Sequence, residues 1–242
     1  MNALVEPSHF WDRPPQDKVF VDRANRLLRR IDCRRASDRE LQEAIARLRY
    51  QAYFRADAIA PNRFATFTDD YDAMENAYLY ALCVDGELAS SLRLHIVSKE
   101  QLKSPSLEVF ADHLRSKIDA GSVLIDVTCF VADERLSWRH RDLPYVTLRI
   151  MFLAAEYFTA DYCLVAVRAE HEAFYRRAFN LQAIGEPRCH SQFKTPLALM
   201  ALHFPTEAKA LLRKYPFYSS SVFERRCLFQ DPQEAFLGQI AS

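Results

Sequence analysis

Residues 162–185 read YCLVAVRAEHEAFYRRAFNLQAIG, and this stretch decides the class of fold. The apolar run from Tyr162 to Val167 predicts a short buried β-strand. The helix expected after Arg168 carries Phe174, Tyr175 and Phe179, and the chain then returns toward Gly185. A strand that runs directly into a short aromatic helix indicates a domain in which helices pack on a sheet.

The segments upstream extend this pattern. Leu28 to Arg35 alternates between apolar and charged residues, which fits a first strand or an amphipathic helix. Ser37-Asp-Arg-Glu40 is a capping box, so a helix is predicted from there to about Phe54. The pair Asp85-Gly86 separates two strand-like runs, Ala77–Val84 and Glu87–Val97, and predicts a β-hairpin with a type I′ turn.

Further along, helices are predicted over Leu107–Lys117 and Asp142–Phe158, the second with Asp142 as its N-cap and Pro144 in its first turn. Strands are predicted over Val123–Val131 and Ala198–Phe204. The resulting order is β-α-loop-β-β-α-β-α-β-α-β. It predicts an α/β (α+β) domain, with a mixed sheet flanked by helices.

The composition points to one globular domain in a reducing compartment. The 242 residues are 50% hydrophobic and carry 32 basic and 32 acidic residues, so no global charge argues for nucleic acid. The six cysteines form no Cys-x-x-Cys pair and are expected to be reduced. No signal peptide or membrane span is predicted, which favours a cytoplasmic protein.

Four segments in the first half have a telling order: LRYQAYF at 48–54, DDYD at 69–72, NAYLYAL at 76–82 and GELASSLRL at 86–94. Together with the aromatic helix near Tyr175, they resemble the FeeM-type N-acyl amino acid synthases and the related acyl-homoserine-lactone autoinducer synthases. These families have the GNAT-like acyltransferase fold. The resemblance covers residues 28–204, which leaves extensions at 1–27 and 205–242, the latter expected to pack on or near the domain.

The resemblance implies a polar site. Arg49 matches the arginine that closes the first helix, Asp69 and Asp72 match the paired acids of the loop, and Arg93 matches the arginine of the second hairpin strand. Asp126 matches a glutamate on the central strand, one methylene longer. The arginine expected three residues after that acid is Cys129 here. Because this change removes a fixed cation, recognition of the amino substrate is expected to differ from that of the autoinducer enzymes.

Each of these residues has two readings. Asp126, on an apolar strand, is either a general base or amine anchor, or a structural acid paired with Arg93 or Arg49. Asp69 and Asp72 either hold the substrate ammonium or brace Arg49. Arg93 points away from Leu92 and Leu94 and either pairs with a loop acid or grips a substrate carboxylate.

Other groups are candidates for the proton and carbonyl chemistry. Tyr175 is the candidate acid for the departing thiolate, or a packed aromatic. A bulge near Phe130 and Val131 would free backbone amides to polarise the carbonyl. Cys129 and Cys163 are expected in the core rather than as nucleophiles, and Cys129, at the position of the missing arginine, is also a candidate substrate-binding residue.

The acyl donor depends on residues 135–144, RLSWRHRDLP, which lack the glycines that usually cradle a pyrophosphate in this fold. Asp142 is expected to accept the free helix amides, and Pro144 lacks an N–H. Side-chain cations remain to bind a single phosphodiester, namely Arg135, Arg139, His140 and Arg141. The alternative is a solvated basic loop. This pattern favours acyl carrier protein over CoA as donor, without excluding acyl-CoA.

A second basic cluster lies near the N-terminus and consists of Arg23, Arg26, Arg29, Arg30, Arg34 and Arg35. It is either a solvated face or a docking surface for an acidic carrier or for anionic headgroups of a membrane. Aromatic interleaving of the kind that stacks nucleic-acid bases is lacking. The histidines show no metal-ligand spacing, so no metal site and no tightly bound cofactor is predicted.

The resemblance to these families implies an acyltransferase. It moves a long acyl chain from a phosphopantetheine thioester to the amine of an amino acid or a similar small molecule, directly and without an acyl-enzyme. One alternative is an autoinducer-type synthase that uses S-adenosylmethionine. Another is a degenerate GNAT fold that binds an acyl carrier or lipid without turnover.

Overall fold

The computed structural model describes residues 18–230, and in this range a single mixed sheet forms the centre of the molecule. Its seven strands are β1 (Ile31–Arg35), β2 (Ala77–Val84), β3 (Glu87–Val97), β4 (Leu124–Ala132), β5 (Tyr162–Val167), β6 (Gln182–Arg188) and β7 (Leu197–His203). They lie in the order β1-β2-β3-β4-β5-β7-β6. The pair β4–β5 is parallel, and the other neighbours are antiparallel.

Helices flank this sheet within the described range. They are α1 (Lys18–Leu28), α2 (Arg39–Arg55), α3 (Pro105–Val109), α4 (Ala111–Asp119), α5 (Glu134–Arg139), α6 (Leu143–Tyr157), α7 (Ala169–Phe179), α8 (Phe204–Lys214) and α9 (Val222–Phe229). The mixed sheet with flanking helices confirms the predicted α/β (α+β) class. The predicted lead-in before residue 18 and the last residues of the C-terminal extension lie outside the described residues.

The strands that the sequence marks by local chemistry begin and end where they are predicted. This holds for β2 and β3, whose connecting residues Asp85 and Gly86 have φ values of 50° and 86°. A type I′ turn requires positive φ at both central positions, which is why Asp-Gly is favoured there. It also holds for β5, which is followed by α7 as expected. Helix α7 ends at Asn180 in the left-handed conformation, with φ 58°.

Several local expectations are wrong. The cap of α2 is Asp38 rather than Ser37, because the Asp38 carboxylate accepts a hydrogen bond of 2.8 Å from the Leu41 amide. The helix predicted over residues 107–117 is two helices, α3 and α4, separated at Phe110. The basic stretch after β4 contains α5. The chain that returns past Gly185 forms strand β6. This strand is largely exposed, so its sequence has no apolar pattern that would predict a strand.

Helix α6 is the centre of the larger core. All its residues from Leu143 to Ala155 are buried, and it packs on the face of the sheet that Leu92 and Leu94 also face. Phe20 of α1 and Tyr215 pack against Tyr145 of the same helix, and the Tyr218 hydroxyl donates to the Tyr145 carbonyl at 2.8 Å. Both flanking extensions therefore contribute residues to this core.

The feature that prepares a site is the divergence of β4 from β5. The two strands pair only from Leu124 with Tyr162 to Val127 with Val165. Beyond this point β4 continues to Ala132 beside β3 alone. A V-shaped opening therefore forms in the middle of the sheet, between the carboxyl ends of two parallel strands.

Candidate functional site

A cavity of about 1040 Å³ occupies the opening between β4 and β5. Its walls are largely apolar and include Val109, Phe110, Val127, Val165, Val167 and Leu197. Polar side chains line other parts of it, among them Asp69, Arg93, Ser106, Cys129, His171 and Tyr175. The cavity can therefore hold an extended apolar chain beside a small set of polar groups, the usual composition of a small-molecule site.

A β-bulge shapes one wall of the cavity. Ser91 is paired with Val131 and Arg93 with Thr128, so two residues of β4, Cys129 and Phe130, lie opposite the single residue between them. Cys129 has a φ of 51°, a value that side chains other than glycine rarely adopt. Bulges disrupt the strand ladder and turn side chains in a new direction. The predicted bulge is therefore present, centred one residue earlier than expected.

The loop acids Asp69 and Asp72, together with Thr128 of β4, hold the Arg93 guanidinium. Arg93 is 1% exposed. Its Nη1 donates to Asp69 and, at 2.8 Å, to Asp72 Oδ1, and its Nη2 donates to Asp69 Oδ2 at 3.0 Å. Its Nε donates to Thr128 Oγ1 at 3.0 Å. Every nitrogen of the group is occupied, so the geometry favours the pairing with loop acids over the grip on a substrate carboxylate.

Arg49 is also buried, but only one of its nitrogens has a partner. Its Nη1 donates to both oxygens of Asp72 at 2.9 and 2.8 Å. Its Nε and Nη2 are buried and make no hydrogen bond within the described chain. Burial alone would raise the pKa of Asp72, but the guanidinium groups of Arg49 and Arg93 hold it below its usual value. The contact in which a loop acid braces Arg49 is thus present.

Asp126 does not line the cavity but lies behind Ser106, which does. Its carboxylate is fully buried and accepts hydrogen bonds from the Ser106 amide at 3.0 Å and from Ser106 Oγ at 2.7 Å. It makes no ion pair with Arg93 or Arg49. The structural role predicted for this acid, as the partner of a buried arginine, is therefore wrong in its partner, which is Ser106. Ser106 itself lines the cavity, so Asp126 reaches the site only through this serine.

Helix α7 contributes three polar residues to the lining of the cavity, Glu170, His171 and Tyr175, and the last two lie one helical turn apart. Burial raises the pKa of Tyr175, so the phenol stays protonated at neutral pH. Burial and the neighbouring Arg168 lower the pKa of His171, which keeps its imidazole neutral. The sequence analysis missed His171, although its spacing of four residues from Tyr175 marks a shared helix face.

Cys129 lines the cavity together with Asp69 and Arg93, so the expectation that its thiol lies in the core is wrong. Its place among the substrate-binding residues stays a prediction. Cys129 is half-buried, whereas Cys163 is fully buried in β5. Tyr53 of α2 lines the same cavity. Burial raises the pKa of its phenol, which therefore stays protonated at neutral pH.

The two predicted basic clusters meet in a second cleft, of about 350 Å³. It is lined by Arg23, Arg26 and Arg30 from α1 and its following turn, and by Arg139, His140 and Arg141 between α5 and α6. Trp138 and Arg141 line both this basic cleft and the large cavity. Arg135 lines neither and pairs with Glu87.

The charges in the basic cleft differ from the expectation at one position. Asp142 does not accept helix amides through its side chain but pairs with Arg23, whose Nη2 lies 2.6 Å from Asp142 Oδ1. The negative charge expected there is therefore compensated. Arg26 and Arg139 are exposed and make no ion pair with any residue of the described range. Burial and nearby arginines lower the pKa of His140.

Residues 18–230 contain no group of three or more His, Cys, Asp or Glu side chains placed to hold a metal ion. None of the helices in this range is long and apolar enough to cross a membrane. The cytoplasmic location remains a prediction.

Comparisons with known proteins agree on the fold and the family. The family model described as "N-acyl amino acid synthase FeeM" matches residues 44–203, about two thirds of the chain. The structure of FeeM from uncultured soil microbes is similar, with a TM-score of 0.62, 19% identity and coverage of 74% of this chain and 94% of that chain.

Acyl-homoserine-lactone synthases are similar in structure as well. LasI has a TM-score of 0.52 and 16% identity, covering 71% of this chain and 88% of its own. BjaI, described as CoA-dependent, has a TM-score of 0.54 and 15% identity, covering 77% and 89%. No curated protein sequence matches the chain. At these identities the structural similarity shows only the GNAT-like acyltransferase fold. The match to the family model is what shows the family.

Proposed function

This chain belongs to the FeeM family of N-acyl amino acid synthases, and we propose that it transfers a long acyl chain from a phosphopantetheine thioester to the amine of an amino acid or a similar small molecule. One observation carries the proposal: a large, mainly apolar cavity adjoins a buried polar site on one side and the basic cleft on another. A site of this composition can hold an acyl chain, an amine and an anionic donor arm at the same time.

The size and lining of the cavity support a long acyl chain. Its volume of about 1040 Å³ is at the upper end of the range of about 300–1,000 Å³ for small-molecule pockets. The apolar side chains of Val109 at the end of α3, Phe110 between α3 and α4, and Leu197 of β7 line this cavity. An acetyl group alone would leave most of this apolar surface uncovered, which favours a longer chain.

The basic cleft supports a donor that presents an isolated phosphate and an acidic surface. Trp138 and Arg141 connect the cleft to the cavity, so a phosphopantetheine arm entering there would pass the arginines of α1 and α5. Pro144 lacks the backbone N–H that a pyrophosphate cradle at the start of α6 would use. Acyl carrier protein fits these features better than acyl-CoA, and CoA stays as the alternative donor.

The chemistry assigns a role to each wall of the cavity. Backbone amides at the Cys129–Phe130 bulge polarise the thioester carbonyl. The protonated Tyr175 supplies a proton to the departing thiolate, and the neutral His171 accepts one from the amine. The Arg49 and Arg93 pairs with Asp69 and Asp72 hold the loop that closes the polar end. Asp126 acts as a positioning residue, since it reaches the cavity through Ser106.

The direct test is mass spectrometry of lipid extracts from a bacterial host that expresses the wild type, Asp126→Asn or an empty vector. We expect an N-acylated amine only with the protein, and less of it with Asp126→Asn because the hydrogen bonds to Ser106 weaken. The mass of the product identifies the amine and the chain length.

Other products or none would favour the alternatives. An acylated lactone would indicate the autoinducer-type reaction. Folded protein that yields no acylated amine, with any donor and a full set of amino acids, would contradict acyl transfer. If such a protein still retained acyl carrier protein in a pull-down, it would be a binding module.

The donor preference predicts a charge effect at the unpaired arginines of the cleft. The double variant Arg26→Glu/Arg139→Glu reverses two exposed charges that have no ion-pair partner in the described chain. We expect kcat/KM for acyl carrier protein to fall by about 10- to 100-fold, and the loss to shrink at high salt. Steady-state rates with acyl carrier protein and with acyl-pantetheine at two salt concentrations would measure it.

A matched control makes the same change of charge at two arginines outside the cleft. The variant Arg39→Glu/Arg115→Glu reverses two exposed arginines on α2 and α4 that line neither cavity. It should leave the rate with acyl carrier protein near that of the wild type. Equal losses for acyl-pantetheine and for the carrier would argue against docking of the carrier in the cleft.

A further inference from the structure

Arg168 lies at the carboxyl end of β5, directly before α7, and lines the large cavity. Its side chain is largely buried, with 20% of the surface exposed. Nη1 of Arg168 donates a hydrogen bond of 3.1 Å to the carbonyl oxygen of Ala56, which follows the last residue of α2 and also lines the cavity. This contact fixes the position of a positive charge at the cavity wall.

Three other arginines within residues 18–230 line the cavity, and each is engaged elsewhere. Every nitrogen of the Arg93 guanidinium group has a partner. Arg55 is half-exposed and pairs with Glu134 at 2.7 Å. Arg141 also lines the basic cleft, where the phosphate of the donor is proposed to bind. Arg168 is therefore the cavity's best-placed cation for an anionic group of the acceptor.

The contacts of Arg168 leave part of its guanidinium group available. This group has five N–H donors. Nη1 donates to Ala56 and lies 2.8 Å from Glu170 Oε1, and Nη2 lies 3.4 Å from Nε2 of His171. No residue of 18–230 accepts a hydrogen bond from Nε. Nε and the second N–H of Nη2 can therefore bind a carboxylate through two parallel hydrogen bonds, the geometry that arginine favours.

A negative charge adjoins this positive one. Glu170 also lines the cavity, and its side chain is 44% exposed, so its carboxylate is accessible beside Arg168. An α-amino acid at neutral pH carries an ammonium group and a carboxylate on the same carbon atom. An arginine and a glutamate side by side on a cavity wall complement both of these charges.

We propose that Arg168 determines the specificity for the acceptor: it binds the carboxylate of an α-amino acid, while Glu170 attracts the ammonium group. This inference rests on the proposed acyl transfer and narrows its acceptor to amines that carry a carboxylate. The cation that position 129 lacks is then supplied from the end of β5, since Cys129 and Arg168 line the same cavity. The amino group is held near His171, which the proposed reaction uses to accept its proton.

The test compares an amino acid with its primary carboxamide, which has nearly the same shape but no carboxylate charge. The full chain is supplied with palmitoyl-loaded acyl carrier protein, or with palmitoyl-CoA, and with each standard L-amino acid in turn. The amino acid that is acylated fastest is then measured against its carboxamide. We expect the wild type to prefer the acid by at least about 10-fold in kcat/KM, as loss of charge-assisted hydrogen bonds predicts.

Variants at the two charges should separate the two substrates. Arg168→Gln should raise KM for the acid by about 10- to 100-fold and leave kcat, and the kinetics with the carboxamide, near the wild-type values. Arg168→Lys keeps the charge but not the two parallel hydrogen bonds, so it should recover part of the lost affinity. Glu170→Gln should raise KM for the carboxamide, because that substrate keeps its ammonium group.

A matched control is present on the same helix. Arg176 of α7 pairs with Glu172 at 3.5 Å, is about half exposed and lines neither cavity. Arg176→Gln should leave KM and kcat for both substrates unchanged. Thermal unfolding of each variant shows whether it is folded. The preference of the wild type for the acid needs no variant and tests the inference by itself.

Other results would overturn carboxylate recognition and leave acyl transfer standing. One is an equal kcat/KM of the wild type for acid and carboxamide. Another is an equal loss for both substrates in Arg168→Gln, which would make this arginine a structural link between α2 and α7. Acylation of an amine without a carboxylate in preference to every amino acid would also overturn it. If no amine is acylated with either donor, the proposed function itself fails.

Discussion

Replacing Arg93 by methionine is expected to lower the free energy of unfolding by about 3–5 kcal/mol, the usual cost of removing one partner of a buried ion pair. The side chains of Arg93 and Asp69 are 1% and 8% exposed, and that of Asp72 is 19% exposed. Without the guanidinium group, Asp69 loses both of its charged hydrogen bonds and Asp72 keeps only Arg49. Thermal unfolding at pH 7 should show a midpoint lowered by roughly 10 °C or more.

A matched control is available on β1, the edge strand two positions away from β3 in the sheet. Arg34 of β1 pairs with Asp32, but both side chains are more than half exposed, at 57% and 55%. Arg34→Met should therefore change stability by no more than about 0.5 kcal/mol. If Arg93→Met unfolded at the temperature of the control, the acid–arginine cluster would not be an important source of stability.

The pH dependence of the stability of the wild type and of Arg93→Met gives a second check. The pKa of Asp72 is lowered in the folded wild type, so the stability it contributes is fully present above its unfolded value, about 3.9, and is lost as the pH falls through the lower folded value. In Arg93→Met the Asp72 carboxylate keeps only Arg49 of its two cationic partners, so it is more easily protonated. The difference in stability between the two proteins should therefore narrow as the pH is lowered toward and below about 4.

These effects follow from a cluster whose members the sequence identifies but whose geometry it does not. The ordered segments around Arg49, Asp69, Asp72 and Arg93 resemble a known family strongly enough to name these residues. The spacing cannot show that Arg93 uses all its nitrogens while Arg49 leaves two unpaired. That difference arises because α2, β3 and the loop between α2 and β2 converge in three dimensions.

Local chemistry explains which elements were predictable. Asp85-Gly86 encodes its own turn, and the apolar runs of β2, β3 and β5 are long enough to mark both ends. Strand β6 is mostly exposed and contains Pro187, so neither its composition nor its periodicity indicates a strand. Pairing with β7 alone places it in the sheet. Burial of Arg149 against Phe217 and Glu224 likewise depends on contacts distant in sequence.

The same reasoning applies to the catalytic groups. The position of Tyr175 on a helix after a strand is visible in the sequence, and its place at the cavity wall agrees with it. The surroundings of Cys129 are not visible in the sequence, because Tyr53 and Arg93, which line the same cavity, come from two elements remote from β4 in the chain. An apolar strand with one cysteine has the same local pattern whether its thiol is in the core or at a site.

Tyr175→Phe is expected to reduce kcat for amide formation by about 100-fold or more, the typical contribution of a general acid. Tyr175 is 6% exposed and lines the cavity, and burial raises the pKa of its phenol, so it can donate a proton but not accept one at neutral pH. The ring remains in the variant and keeps its contacts with Phe174 and Phe179. Stability and KM for the donor should therefore change little, as steady-state kinetics and thermal unfolding would show.

The leaving group distinguishes an acid from a packing residue. A thiolate that is already stable, such as that of an aryl thioester, needs no proton as it departs, so Tyr175→Phe should approach the wild-type rate with such a donor. Tyr145→Phe serves as the control, since Tyr145 packs against Phe174 from α6, is 5% exposed and lines neither cavity. It should match the wild type with both donors. An equal loss for Tyr175→Phe with alkyl and aryl thioesters would mean that the phenol positions the acyl chain, and that the thiolate takes its proton from another group.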